Sequence, residues 1–183
     1  MNNESGFGAN GAPYEYAVAE AKTKRLMLKK LLFIAAYILW GATVLIVGVI
    51  TKLILPLLCF IPLSIWIIVF LTWRYTQVEY EYSYFSGKLT VSKILGGRTR
   101  KKLCEVMLRD LSAVFPYSDA NLSRTQAFHA EKTVFAASDA ASANLYIALW
   151  QDTDSSKHMI LFFEPNEKAV KIIKYYNMSA IAK

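Results

Sequence analysis

The sequence predicts an α+β protein in which a two-helix transmembrane hairpin is followed by about seven antiparallel strands and a C-terminal α-helix. Three observations carry that prediction. Leu31 to Trp73 is a run of 43 residues with one charged side chain, Lys52. After Arg74 the apolar runs give way to alternation, the pattern of strands with one buried face. The closing stretch "EPNEKAVKIIKYYN" has the period of an amphipathic helix.

The apolar run is too long for one span. As a single helix it would extend about 64 Å, roughly twice a hydrocarbon core of about 30 Å. An ammonium is costly at mid-bilayer and nearly free at the surface, so Lys52 marks a turn in water between spans at 31–50 and 53–73. Gly48 and Thr51 loosen the helix beside it. The alternative is a buried hairpin in a soluble core, but uncharged runs of 20 and 21 residues exceed ordinary core helices. Pro56 and Pro62 are tolerated in a span where neighbours satisfy the freed carbonyls. Trp73 stands where an interfacial anchor is expected.

Flanking charge sets the orientation. Lys22, Lys24, Arg25, Lys29 and Lys30 precede the first span and Arg74 follows the second. By the positive-inside rule the chain is a multi-pass protein of the plasma membrane with N- and C-termini cytoplasmic. A cleaved signal peptide fits poorly, because 30 residues precede the run and no small-residue cleavage site follows it. Cys59 lies inside a span and Cys104 beyond it, which leaves no disulfide framework and agrees with a reducing compartment. Residues 1–13 read as a disordered tail. Residues 14–30, Ala-rich with acids early and bases late, read as a basic juxtamembrane helix. Its bases serve either to attract anionic headgroups, at about 1 kcal/mol each, or only to set topology.

Beyond the spans, Val78, Tyr80, Tyr82 and Tyr84 point one way and Glu79, Glu81 and Ser83 the other. Ser86 to Lys88 makes a hairpin turn, "GGRTR" at 96–100 the next, and Lys101 to Leu108 runs back. Leu111 to Phe115 is a fourth short strand that Pro116 stops or confines to an edge. Residues 117–131 are polar and read as a loop. Three more strands are expected at Thr133–Ala137, Asn144–Trp150 and His158–Phe163. In the closing helix Pro165 suits the first turn, and Ala169, Ile172, Ile173 and Tyr176 share a face. Residues 178–183 are left as a tail.

The stretch "VEYEYSYFSGKLTVSKILGGRTRKKLCEVMLRDLSAVFPY" and the closing "FFEPNEKAVKIIKYY", behind a paired membrane anchor, resemble the bacterial pleckstrin-homology-like (PH-like) domains of small membrane proteins. In particular the chain looks like a family of low-GC Gram-positive bacteria with a basic N-terminal segment, two spans and this domain. The resemblance covers about residues 14–177. It implies a bent antiparallel β-barrel at residues 75–177, closed at one end by the helix, and brings no catalytic residues with it. Phosphoinositide binding of the eukaryotic kind uses bases in the first hairpin, where this chain offers only Lys88.

Among candidate sites, the basic stretch Arg98, Arg100, Lys101 and Lys102 stands out as a contact for anionic lipid or an acidic partner. Such bases also keep a hairpin soluble and its edge unpaired. His129 and His158 are 29 residues apart without a nearby Cys, which is not a metal pattern. Ser123, His129 and Asp119 lack the context of a nucleophile. "GGRTR" lacks the spacing of a phosphate loop. Six of the 21 basic residues flank the spans, so the net charge of +7 does not require nucleic acid.

These observations favour a non-enzymatic, membrane-anchored cytoplasmic domain, without cofactor, that binds a protein partner or an anionic membrane surface. The alternative is an accessory or regulatory subunit of a transporter or cell-envelope complex, with Gly41, Ala42 and Gly48 packing against another membrane protein. An enzyme assembled from residues distant in sequence is a third class.

Overall fold

Two units account for the chain in the computed structural model, which describes residues 13–21, 24–153 and 155–181. The first comprises the residues up to Glu20, Glu79–Ile94 and Arg100 onward; the second comprises Ala21–Val78 and Leu95–Thr99. The expected N-terminal tail lies outside the described residues, except for Pro13. Lys22 also lies outside them.

The second unit is a helical hairpin, α1 (Lys24–Thr51) and α2 (Ile54–Thr72), ending in a 3-10 turn at Trp73–Thr76. Both helices are long and apolar enough to cross a membrane. Lys52 sits between them with φ 58°. Its N–H donates to the Val49 carbonyl at 3.3 Å and the Leu53 N–H to Gly48 at 3.1 Å. That is the Schellman closure, in which the left-handed position is ordinarily glycine. A lysine there costs about 1 kcal/mol. Gly48 does more than loosen the helix: a Cβ on it would stand 3.1 Å from Leu57 Cδ1, so its bareness lets α2 return close against α1.

Farther along the hairpin, Gly41 faces Ile65. Trp40 Nε1 donates to Ser64 Oγ at 3.2 Å, and the Tyr37 and Thr72 hydroxyls bond each other. Pro56 falls in the first turn of α2, where a missing N–H removes nothing. Pro62 is internal.

The first unit holds two four-stranded sheets. The order in one is β1-β2-β3-β4, from β1 (Tyr14–Ala19), β2 (Val78–Phe85), β3 (Lys88–Leu95) and β4 (Thr99–Met107). The other has β5 (Leu111–Pro116), β6 (Lys132–Ala136), β7 (Tyr146–Gln151) and β8 (His158–Phe163), ordered β5-β7-β8-β6. Among the described residues eight strands stand where about seven were expected, and β6 pairs parallel to β8, so the arrangement is not wholly antiparallel. Pro116 does lie on an edge strand. The β2–β3 turn has positive φ at both Ser86 and Gly87, the two-residue form whose twist matches a hairpin.

The added strand corrects the expected juxtamembrane helix over 14–30. Tyr14, Tyr16 and Val18 are partly buried while Glu15, Ala17 and Ala19 are exposed, and β1 pairs antiparallel with β2 from Tyr14↔Tyr84 to Ala19↔Glu79. Alanine content and charge order favour a helix locally, but the alternating aromatic face finds a partner row of tyrosines, and packing overrides propensity. The domain is therefore discontinuous: the hairpin is inserted between its first two strands, and the 75–177 boundary omits one of them.

Two further expectations change. Residues 117–131 contain α3 (Asp119–Ala127), too polar to show a periodic signal. Residues 178–183 are not simply a tail, since Met178–Ile181 form a short helix, α5, with Ala180 buried. The preceding helix, α4 (Glu167–Tyr176), is capped by Asn166, whose side chain accepts from Ala169 N at 2.9 Å, so Pro165 precedes the cap. Ala169, Ile172 and Ile173 are buried, whereas Tyr176 is partly exposed and covers Gly87. Asn177 Nδ2 donates toward the carbonyls of Leu108, Arg109 and Leu111. One side chain thus ties the last helices to the link between the sheets.

Tyrosines fill the contact between β1 and β2. Tyr82 and Tyr84 are buried, and Tyr16 rings lie 4.9 Å and 6.3 Å from theirs. The Tyr82 hydroxyl bonds the Ala136 carbonyl, Tyr16 donates to the Glu164 carbonyl at 3.1 Å, and Asn166 donates to the Tyr14 hydroxyl at 2.7 Å. Burial raises the pKa of Tyr16, Tyr82 and Tyr84 above the ordinary tyrosine value.

Two outcomes follow from this arrangement. A chain truncated to 75–183 loses β1 and is expected to unfold or aggregate, whereas residues 13–19 joined through a short Asn-Gly loop to 79–183 give a soluble β-rich monomer by circular dichroism. Equal behaviour of the two would remove β1 from the domain. Second, above about pH 10 the unfolded chain releases tyrosine protons that the folded state keeps, so stability falls as pH rises. Absorbance at 295 nm should show Tyr16, Tyr82 and Tyr84 ionising only together with unfolding. Smooth titration of all 11 tyrosines with intact circular dichroism would contradict the buried cluster.

Candidate functional site

The basic stretch after β3 begins in a tight turn. Gly96 and Gly97 have φ of +59° and +66°, and Arg98 N–H donates to the Leu95 carbonyl at 3.3 Å. Gly96 N–H also donates to the Gln77 carbonyl at 2.8 Å. The contact is so close that a Cβ on Gly96 would lie 2.7 Å from Arg74 Cβ and 2.9 Å from its Cα. Both conformation and space therefore demand glycine at this position.

That clamp decides where Arg98 goes. Its guanidinium stands 5.0 Å from the centroid of the Phe70 ring, a cation–π contact. Arg98 lines a cavity of about 340 Å³ together with Trp66, Phe70, Trp73, Arg74 and Gln77. No carboxylate lines this cavity, and neither arginine makes an ion pair among the described residues. Arg74 lies over the Tyr75 ring at 4.9 Å and donates to its hydroxyl at 2.9 Å.

The other three bases belong to the sheet unit. Arg100 pairs with Glu81 at 2.8 Å, and Lys102 with Glu105 at 2.9 Å. Glu105 also receives Lys88 at 2.5 Å, and these two donors hold its carboxyl below the usual carboxylate range. Lys101 is exposed and has no ion pair among the described residues. Exposed pairs of this kind contribute little, about 0–1 kcal/mol, and exchange readily for another anion. The structure therefore divides the sequence cluster in two: Arg98 faces the end of α2, while Arg100, Lys101 and Lys102 run along the start of β4.

The remaining candidates have structural surroundings. His158 Nδ1 is 3.1 Å from the Phe128 carbonyl and its ring stacks on Phe128. Asp119 and Ser123 fall on α3 and His129 just past its end, with φ 45°. Among the described residues no group of three His, Cys, Asp or Glu side chains is placed to hold a metal ion. Both cysteines are free; burial pushes the Cys104 thiol up to about 12, so it is a poor nucleophile. Of Gly41, Ala42 and Gly48, the residues suited to packing against another membrane protein, the two glycines face α2 of the same hairpin and Ala42 is exposed.

Sequence reasoning missed Trp66, Phe70, Trp73, Arg74 and Gln77 as members of one site with Arg98. The available signal was Arg74 directly after an aromatic span end, together with paired glycines before Arg98.

No curated protein and no solved structure matches the chain. A family model described as a bacterial PH-like domain, DUF6106, matches residues 12–183, a range that takes in β1, the inserted hairpin and both sheets. By that match over nearly its whole length, the chain belongs to the bacterial PH-like domain family DUF6106.

Proposed function

We propose that the protein is a non-enzymatic binding module anchored in the plasma membrane by α1 and α2, with its sheets and both termini on the cytoplasmic side. The start of β4 meets a protein partner or an anionic membrane surface. The observation that carries the anchoring is exposure: only 6% of the most apolar window of α2 and 11% of that of α1 are buried. A core helix of a soluble protein would be covered, and apolar surface this extensive calls for lipid or a partner.

The pairing of β1 with β2 supports the topology independently of charge. Ala19 and Glu79 are neighbours in the sheet, so a hairpin leaving between them must return to the side it left. Lys24, Arg25, Lys29, Lys30 and Arg74 then favour the cytoplasmic side. Family membership supports a binding role over catalysis.

With Lys52→Cys, a membrane-impermeant maleimide should label intact cells, whereas Arg100→Cys should react only after permeabilisation. Cys59 within the span and buried Cys104 leave little background. The opposite pattern would invert the topology. In the soluble chain carrying the Asn-Gly loop, replacing Arg100, Lys101 and Lys102 by Gln should weaken binding to anionic vesicles several-fold, by up to about five-fold per base. Unchanged binding would discard the lipid surface and leave the protein partner.

A further inference from the structure

The cavity at the end of α2 has a composition that a topology signal does not need. Two arginines without a carboxylate share it with Trp66, Phe70 and Trp73. Orientation requires only that bases lie near a span end. Here a distant turn is brought back, held by the Gly96–Gln77 hydrogen bond and the bare Gly96 against Arg74, so that Arg98 reaches the same space.

We propose that this cavity seats the phosphate of an anionic phospholipid, held by Arg74 and Arg98, with the lipid's apolar part lying on Trp66 and Phe70. The proposal rests on the membrane reading above and adds a defined lipid site to it. Guanidinium forks match phosphate oxygens in pairs. Charge complementarity selects an anion. The apolar wall selects an amphiphile over a free ion, because Trp66 and Phe70 remain 65% and 51% exposed and extend from the cavity along α2. Tyr75, which now receives Arg74, is an exposed partner that a phosphate can replace.

The full chain, reconstituted in vesicles with brominated lipid, provides the test through tryptophan quenching. Trp66 and Trp73 line the site, Trp40 reports bulk lipid from within the hairpin, and buried Trp150 stays unquenched. Brominated phosphatidylglycerol should quench more than brominated phosphatidylcholine. Arg98→Gln or Arg74→Gln should lower that preference about five-fold each, while Arg98→Lys, which keeps the charge but loses the paired fork, should lower it less than Arg98→Gln. The pair Arg100→Gln and Lys102→Gln should leave it unchanged. Equal quenching by the two lipids, or a preference that survives loss of both Arg74 and Arg98, would overturn the lipid site alone. Displacement by millimolar inorganic phosphate would reassign the cavity to a free anion and overturn it too. Absence of quenching by either lipid would overturn the membrane anchoring along with it.

Discussion

The pairing of β1 with β2 is the constraint on which the rest of the chain depends. These strands are adjacent in the sheet, yet the whole helical hairpin lies between them in sequence. Closing a connection of this length as flexible chain costs entropy before any contact forms, although the cost grows only slowly with length, by about 0.6 kcal/mol per doubling. Two helices folded back on each other shorten that connection to the distance between their outer ends. Because β1 and β2 flank the hairpin in sequence, pairing them requires its two outer ends to lie close together. The tyrosines on this pair tie β1 further into the sheet unit, since Tyr16 and Tyr14 reach Glu164 and Asn166 just before α4.

The hairpin's own construction is economical with small and polar groups. Its two glycines face inward, as do the Trp40–Ser64 and Tyr37–Thr72 hydrogen bonds. What remains outward is large and apolar, including Leu31, Leu32, Ile38, Leu39, Ile46 and Ile50. Close helix association in lipid relies on small residues that let backbones approach, and here the two glycines serve the hairpin itself while Ala42 stays exposed. At the tip, the left-handed lysine accepts about 1 kcal/mol of backbone strain where glycine would have none. In lipid, its charge would repay that by fixing the turn in water, which an uncharged glycine does not do.

Much of this was legible because it rests on long-range patterns of hydropathy. The two helices, the charge that separates them, the Tyr80–Tyr84 buried face, the edge position of Pro116 and the closing amphipathic helix all follow from periodicity and turn chemistry. The exceptions share a cause. β1 was hidden because six residues of Tyr, Glu, Ala and Val satisfy helix and strand rules about equally, and only the distant tyrosine row decides between them. α3 has almost no apolar face to reveal it. The parallel β6–β8 pairing and the triple role of Asn177 are tertiary facts with no local signature.

The basic stretch shows the same limit for function. Read along the sequence, Arg98, Arg100, Lys101 and Lys102 form one patch of four charges. In the fold, Glu81 and Glu105 partly compensate Arg100 and Lys102, so the start of β4 presents less net charge than its composition implies. Arg98 is separated from them by its turn and instead joins Arg74, whose sequence neighbours are aromatic. Both guanidinium groups are exposed, as the β4 bases are, so shelter from screening does not set the pair apart; what does is that neither has a carboxylate partner among the described residues while aromatic side chains stand beside both. Gly96 causes the difference: it lets the turn approach Arg74 closely enough for two distant arginines to share one cavity.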